Sequence, residues 1–582
     1  MQNPVTRAKD SIVFTNQAKC RDCYRCVRTC PVKAIRVVNA QASVVAERCI
    51  HCGTCIRECP QKAKAYRNDI ERVRDIVREG AMTALSIAPS FAGFFREWEW
   101  KRIPSALRKL GFRHVSETAV GAWHAAQKTA ALLEHDPKAS WIESSCPAVV
   151  SYVEKYLPDR VRNLAPILSP MLTHASLLRQ KLGGDIRVIF IGPCVAKKAE
   201  AERSENDGLV DGVLTFAELG QWLEEENIDL RQLEESDFDE QPAGHARCYP
   251  LLGGCMQTAA RTADRLAADV LSASGHEQIH EALTMEDNNG LRLIECLFCP
   301  DGCIGGPAIP QEGNPFERRQ RVLRYAGEIQ KKDTAPELTA LPLVARFHAR
   351  PIADGDKVSE EAIRRELEKT GKLDPDNQLN CGACGYPRCR EKAIATILGM
   401  AETEMCLPYM RRMAEGRTDR IIETSPNGII LLDERLCITA MNPAFRKLFY
   451  CSDAVLGKPV SYLMDPDPFE RLAAGKEQLI EKQMEHRQYN RVCHQIAYAL
   501  EDEKQFVGIF VNITEQKDRQ HQLDKLRKDA MVQARELLDH QLQMAQEMTR
   551  FLGENTARGE SLVEKLVDLV GDNGGGSKEL RP

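Results

Sequence analysis

Cysteines carry most of the chemistry this sequence offers. Sixteen of the 22 fall into spaced groups. Cys20, Cys23, Cys26 and Cys30 read C-x2-C-x2-C-x3-C and close at Pro31; Cys49, Cys52, Cys55 and Cys59 repeat the spacing and close at Pro60. One tight loop presents three thiolates to one face of a 4Fe–4S cube, and the fourth comes from the other half of the repeat. The expected ligand sets are therefore Cys20, Cys23, Cys26 and Cys59, and Cys49, Cys52, Cys55 and Cys30. Zinc rarely uses two tandem sets of this spacing. A later group, Cys381, Cys384, Cys389 and Cys406, reads C-x2-C-x4-C-x16-C. Here a loop gives three thiolates and a helix returns the fourth, so a third 4Fe–4S cluster is expected, with zinc as the competing occupant.

Four more cysteines lie in three separate loops: ESSCPAVV with Cys146, IGPCVAKK with Cys194, and ECLFCPDGCIGG with Cys299 and Cys303. No loop is a complete metal site, but together they supply four thiolates. Cys248, Cys255, Cys296, Cys437, Cys451 and Cys493 stand outside these groups and read as small buried hydrophobes. For Cys296, an extra ligand or a redox switch stays open as the alternative.

The elements that must position these loops follow from periodicity. Residues 70–345 alternate short apolar runs with helical patterns. ALSIAP (84–89) and IRVIFIG (186–192) read as buried strands; SYVEKYL, LLRQKLG and FAELGQWLEEE read as helices. This is an α/β pattern in which ligands are offered at the ends of strands.

Composition bounds the rest. A chain of 582 residues is too long for one core, so several domains are expected. Net charge is −5 and no basic run argues for nucleic acid. No apolar run is long enough to span a membrane, and the first residues lack the apolar core of a signal peptide. The expected location is the cytoplasm, where thiols stay reduced and clustered cysteines hold metal.

Three resemblances attach to these residues. Residues 1–66 resemble a two-cluster bacterial ferredoxin, which implies electron transfer. The segment LNCGACGYPRCREKAIATILGMAETEMC is similar to a small iron–sulfur domain of anaerobic redox proteins. The three central loops, in order, resemble the signature loops of the iron-only (FeFe) hydrogenases over roughly residues 75–310, including SIAPS and LLGGCMQTAAR. That resemblance implies that Cys146, Cys194, Cys299 and Cys303 bind a 4Fe–4S cube, with Cys303 also bridging to a di-iron unit carrying CO, cyanide and a dithiolate. Lys197 would hydrogen-bond an iron-bound cyanide, a charge-assisted contact. Gly302, Gly305 and Gly306 would let the backbone crowd the cofactor, while Pro147 and Pro193 stiffen the loops.

Departures from the family pattern point at the proton path. Ser145 stands where efficient members have a second cysteine. A hydroxyl is a far weaker acid than a thiol, whose pKa is about 8.5, so it relays protons poorly. The helix that should carry acidic relay residues has Trp123, His124 and Lys128 but no carboxylate between Thr118 and Glu134. Gly192 replaces a methionine and is expected to open space beside the cofactor. Cys296 replaces a small apolar residue. The expectation is an intact cofactor site with a damaged proton path, so that Lys197, Ser145 and Cys303 are the residues to test for catalysis.

From Thr418 the pattern changes. SPNGIILLD, NPAF and NITEQK, in that order, resemble a PAS domain, with a helix starting at Asn442-Pro443 and an exposed-edge strand in QFVGIFVNITEQK. No haem or flavin ligand is evident; His486 and His494 read as surface or satisfied histidines. Residues 516–553 favour helix, with Leu523, Leu526, Ala530 and Leu537 at a/d-like spacing, and a second helix, SLVEKLVDLV, is expected after a break near Gly553. A solvated amphipathic helix and a dimerising signalling helix both remain open.

The expected class is multidomain α/β and α+β. The divisions are a two-cluster ferredoxin domain (1–68), an α/β iron-only hydrogenase domain (69–348), a small 4Fe–4S domain (349–412), a PAS domain (413–516), C-terminal helices (517–570) and a flexible tail (571–582). Three readings of function follow: a sensory hydrogenase, a working hydrogenase with a regulatory PAS domain, or a redox sensor or electron carrier without the di-iron unit. The implied partners are H2 and protons, a redox partner protein, hydrogenase maturation proteins, a separate output protein such as a kinase or phosphatase, and a second copy of the chain. Membrane and nucleic acid are not expected partners. The Cys381 cluster, by its place in the sequence, would link the hydrogenase-like domain to the PAS domain.

Overall fold

The computed structural model describes residues 11–136, 138–206, 208–242, 245–259, 268–286, 290–309, 313–327, 338–352, 358–500 and 504–570. The expected tail at 571–582 lies outside them. The chain divides into two compact units, residues 1–410 and 411–582. Among the described residues no helix is long and apolar enough to cross a membrane.

The first unit begins with a two-fold repeat. Strand Val13–Thr15 pairs antiparallel with Lys64–Tyr66, and the hairpin Ile35–Val38/Gln41–Val44 lies between the two cysteine loops. Both loops bend through the left-handed region at matching places. Tyr24 (φ 52) and Gly53 (φ 73) follow Cys23 and Cys52, and Lys33 and Lys62 (φ 48 and 49) follow Cys30 and Cys59. The repeat seen in the cysteines is thus a repeat in the backbone.

The centre holds two parallel sheets. One runs His114–Glu117, Thr83–Ile87, Arg187–Gly192, Gly212–Thr215. The other runs Val270–Ser274, Leu293–Leu297, Trp141–Ile142. Thr83–Ile87 is buried at every position, which is why it reads as an unbroken apolar run rather than an alternating one. Helices Pro147–Tyr156, Pro170–Leu182 and Phe216–Glu225 match the helical patterns expected. Lys198 is fully buried and ties the chain leaving the cysteine repeat to the larger sheet. Its ammonium donates to Asp69 Oδ2 (2.8 Å), Glu218 Oε1 (2.9 Å) and the Val213 carbonyl (3.0 Å), satisfying all three of its protons.

The second unit carries a five-stranded antiparallel sheet ordered Ile438–Met441, Gly428–Leu432, Gln505–Asn512, Arg491–Leu500, Leu479–His486. Asn442 caps helix Pro443–Leu448 by accepting from the Phe445 N–H, as the Asn-Pro pair suggests. Two expectations fail here. Strand Gln505–Asn512 is central, paired on both sides, rather than an edge. Its alternating pattern marks one buried face, which central antiparallel strands share with edges. The break near Gly553 is absent: one helix runs Thr514–Val570. A single glycine costs a helix only about 1 kcal/mol, too little to end one flanked by good helix formers.

Candidate functional site

The three central loops meet because each leaves the C-terminal end of a parallel strand. Cys146 follows Trp141–Ile142 and precedes helix Pro147–Tyr156; Cys194 follows Arg187–Gly192; Cys299 and Cys303 follow Leu293–Leu297. All four thiols line one cavity. Burial pushes each thiol up, Cys194 to about 12, and neighbouring thiols push Cys194, Cys299 and Cys303 further. Four thiolates crowded this way need a cationic core to hold them, which a 4Fe–4S cube supplies. Ser90 Oγ also faces the cavity, fully buried and without a hydrogen-bond partner among the described residues. Such an orphaned hydroxyl suits a diatomic ligand with a lone pair, such as cyanide. The residues fit the group.

Lys197 lines the cavity, but its ammonium is already engaged. It donates to Glu200 Oε2 (2.6 Å), Ser169 Oγ (3.1 Å) and the Ser145 carbonyl (3.1 Å). Ser145 Oγ donates to Glu143 Oε1 (2.7 Å) and sits 2.7 Å from Tyr249 OH, which also donates to Glu143 Oε1 (2.6 Å). Burial raises the Glu143 carboxyl, and burial with Glu143 pushes Glu295 up to about 8. The Cys255 thiol lies against both Glu143 and Tyr249, and its N–H donates to Glu295 Oε1 (3.0 Å). Glu143 and Tyr249 were not among the sequence candidates, although Glu143 stands in the same ESSC motif as Ser145.

One glycine expectation needs correction. Gly192 does not open space: a Cβ there would meet the Phe190 ring at 2.7 Å, so a side chain from the same strand fills the gap. Gly302 and Gly306 line the cavity, and at all three of Gly302, Gly305 and Gly306 protein backbone also leaves no room for a side chain. A Cβ would strike the carbonyls of Pro250 (2.6 Å), Pro300 (2.0 Å) and Pro193 (2.5 Å) respectively. Cys296 is fully buried inside strand Leu293–Leu297, beside Ala273 of the neighbouring strand, and does not line the cavity.

Comparison with known proteins now bears on this geometry. Residues 81–307 match the model of the iron-only hydrogenase large subunit, C-terminal domain. This part of the chain is an iron-only hydrogenase domain. Other models match on either side of it: a 4Fe–4S dicluster domain at 12–74, a putative Fe–S cluster at 377–408 and a PAS fold at 416–499. The NADP-reducing hydrogenase subunit HndD of Solidesulfovibrio fructosivorans is 26% identical over 403 residues, 58% of this chain and 64% of its own length. The cytosolic Fe–S cluster assembly factor NAR1 of Vanderwaltozyma polyspora is 30% identical over 157 residues, 26% of this chain and 30% of its own. This chain spans less than two thirds of the length of either. Among solved structures, a variant of FeFe-hydrogenase HydA1 from Chlamydomonas reinhardtii is 18% identical, covering 49% of this chain and all of the other, with a TM-score of 0.40.

The dicluster domain touches the hydrogenase domain through a ligand loop. A Cβ on Gly53, next to Cys52, would meet Pro307 at 2.5 Å, and the Cys52 thiol lies near enough to be raised by Cys146 and to raise Cys299 by charge repulsion. Backbone N–H groups already point at the thiols, from Ala34 to Cys30 Sγ (3.2 Å) and from Ala63 to Cys59 Sγ (3.3 Å). Cys381, Cys384, Cys389 and Cys406 line a second cavity with Lys372 and Lys392. Among the described residues no three metal-binding side chains converge on a single ion. The small domain docks on the dicluster domain. Arg28, between Cys26 and Cys30, donates to the Ala383 carbonyl (3.2 Å); Gly385 packs on Val27; Ala40 N–H donates to Glu402 Oε2 (3.1 Å).

In the PAS domain the histidine expectation splits. His494 bonds Glu481 Oε1 at 2.7 Å and is satisfied. His486 is buried against the Phe449 and Phe510 rings, its Nε2 without a partner among the described residues, so it is neither surface nor satisfied. Burial lowers its pKa and keeps the ring neutral, which is how the aromatic core tolerates it.

Proposed function

We propose that this chain is a sensory FeFe-hydrogenase, in which H2 or redox state is read at a di-iron unit in the hydrogenase-domain cavity and relayed to the PAS domain. The observation that carries this reading is Ser145. A hydroxyl, hydrogen-bonded to Glu143 and Tyr249, occupies the place where rapid turnover calls for a thiol acid. Cys146, Cys194, Cys299 and Cys303 would hold the cube, and Cys303 would bridge to the di-iron unit. When bound, that unit supplies the centre at which H2 is split or formed. Around it, Ser90 offers a hydroxyl, Lys197 can exchange one present partner for a ligand nitrogen, and Phe190 with the apolar wall excludes water.

Electrons would pass from the cube to the cluster of Cys49, Cys52, Cys55 and Cys30, where Gly53 meets Pro307. The cluster of Cys381, Cys384, Cys389 and Cys406 would then take them from the dicluster domain, on which it docks, rather than directly from the hydrogenase domain. The PAS domain and the helix that follows would pair two copies and act on a separate kinase or phosphatase. Maturation proteins would deliver the di-iron unit, and the reduced thiols suit the cytoplasm.

Infrared spectra of the maturated protein under H2 and under inert gas test this. CO and cyanide bands that shift under H2, with slow hydrogen-dependent dye reduction, are expected. Fast dye reduction would establish a working hydrogenase instead. The relative named as a cytosolic Fe–S cluster assembly factor supports a second reading, Fe–S cluster assembly or electron transfer, and an absence of CO and cyanide bands after maturation would select it.

A further inference from the structure

A second hydrogen-bonded chain, separate from that of Ser145, leaves the cavity at Thr118. Thr118 lines the cavity, and its Oγ1 lies 2.6 Å from Ser86 Oγ. Ser86 Oγ lies 2.7 Å from Nδ1 of His174, a side chain with no exposed surface. The other ring nitrogen, Nε2, faces Glu240 Oε2 (3.4 Å) and Ser116 Oγ (3.3 Å). Glu240 reaches the surface: Lys181, half-exposed on the same helix as His174, holds its Oε1 at 2.5 Å, and His114 Nε2 lies 3.6 Å from Oε2. The arrangement is built by the sheet. Ser86 and Ser116 are register partners on adjacent strands, so both hydroxyls emerge under one face of helix Pro170–Leu182, where His174 spans them.

We propose that Thr118, Ser86, His174 and Glu240 form a proton relay between solvent and the cavity; this rests on the hydrogenase reading of the cavity. A proton from water reaches His174 Nε2 by way of the Glu240 carboxylate, which burial would raise but hydrogen bonds from His114, His174 and Lys181 hold far below the usual carboxylate range, and which carries the proton only in transit. As that N–H bond forms, the Nδ1–H bond breaks toward Ser86 Oγ. Ser86 releases its own proton to Thr118 Oγ1, and Thr118 releases its own to an acceptor in the cavity. One proton enters for each that leaves the solvent, no electrons move, and reversal serves H2 oxidation. A histidine whose two nitrogens are both bonded passes a proton by exchanging tautomers, and the two weakly acidic hydroxyls beyond it keep the relay slow, in keeping with the sensory reading. Glu117 and His124 also act on this imidazole by charge, beside Glu240 and His114. A purely apolar side chain would fill the site at less cost than a buried imidazole.

The test is a pH jump followed by infrared spectroscopy on the full-length, maturated protein, reading how fast pH-sensitive CO and cyanide bands re-equilibrate. Thr118→Val and His174→Gln should each slow re-equilibration at least tenfold while leaving band positions unchanged, and Thr118→Ser should restore the wild-type rate. Wild-type kinetics in either Thr118→Val or His174→Gln, or slowing in Tyr249→Phe alone, overturns the relay. A wild type with no CO or cyanide bands overturns the parent reading and the relay with it; bands with unchanged kinetics overturn the relay alone.

Discussion

Cys296 and Cys303, close neighbours in sequence, should answer mutation in opposite ways. Cys296 packs inside a strand, so Cys296→Ala removes one buried sulfur, lowers stability by about 1 kcal/mol, and leaves iron per chain unchanged. Cys303→Ala should lose iron from the central site, measured by metal analysis beside the same thermal melt. Glu295 gives a pH prediction with a definite sign. Its carboxyl is raised from 4.5 to about 8 by burial and by Glu143, so the folded state holds a proton the unfolded state has released. Its contribution is greatest below pH 4.5 and is lost as pH rises through 8. Denaturation midpoints measured across that window should fall with pH, and Glu295→Gln should flatten the slope. The cysteine groups at 20–59 and 381–406 were legible from loop spacing, whereas the meeting of Cys146, Cys194, Cys299 and Cys303 around one cavity was legible only through the family resemblance. Ser86, His174 and Glu240 were not, since their partners lie on separate elements and no local pattern encodes a contact between positions 86 and 174.

Loops placed at strand ends account for much of the site, and strands Thr83–Ile87 and Arg187–Gly192, the second leading to Cys194, could be read from apolar runs. What escaped was the contact between loops. Gly302 and Gly306 looked like room for a cofactor, and each is also fixed by a carbonyl of a proline far away in sequence, Pro250 and Pro193, a non-local fact. The Gln505–Asn512 strand was misplaced for a related reason: alternation tells which face is buried but not how many neighbours a strand has. Gly53 offers the sharpest test at this scale. Its φ of 73 and the Pro307 ring leave no space for a methyl group. Gly53→Ala should destabilise the protein by about 2 kcal/mol through strain and overpacking. It should also slow electron delivery from the dicluster domain to the hydrogenase domain, measured by stopped-flow reduction with the melting temperature as the parallel reading.

At the level of the whole chain, the first unit assembles the cysteine sites and the second carries the PAS sheet and helix Thr514–Val570. That helix exposes Leu523, Leu526, Leu537, Leu538, Leu542 and Phe551 to solvent, each more than half accessible. An isolated helix with this much bare apolar surface is expected to find a partner, and a second copy supplies the same stripe. The double variant Leu526→Glu, Leu537→Glu should shift the chain from dimer to monomer in analytical ultracentrifugation, with the iron content of the first unit unchanged. The root of the helix is pinned to the PAS sheet: Val492 N–H donates to Thr514 Oγ1 (3.0 Å) and Ile513 N–H to the Val492 carbonyl (2.9 Å). With 57 residues at 1.5 Å each, the rod is about 85 Å long. A lever of that length, clamped at one end, magnifies: a tilt of about 5° at Thr514 sweeps the far tip through about 7 Å, enough to bring a side chain into reach of another protein or take it out.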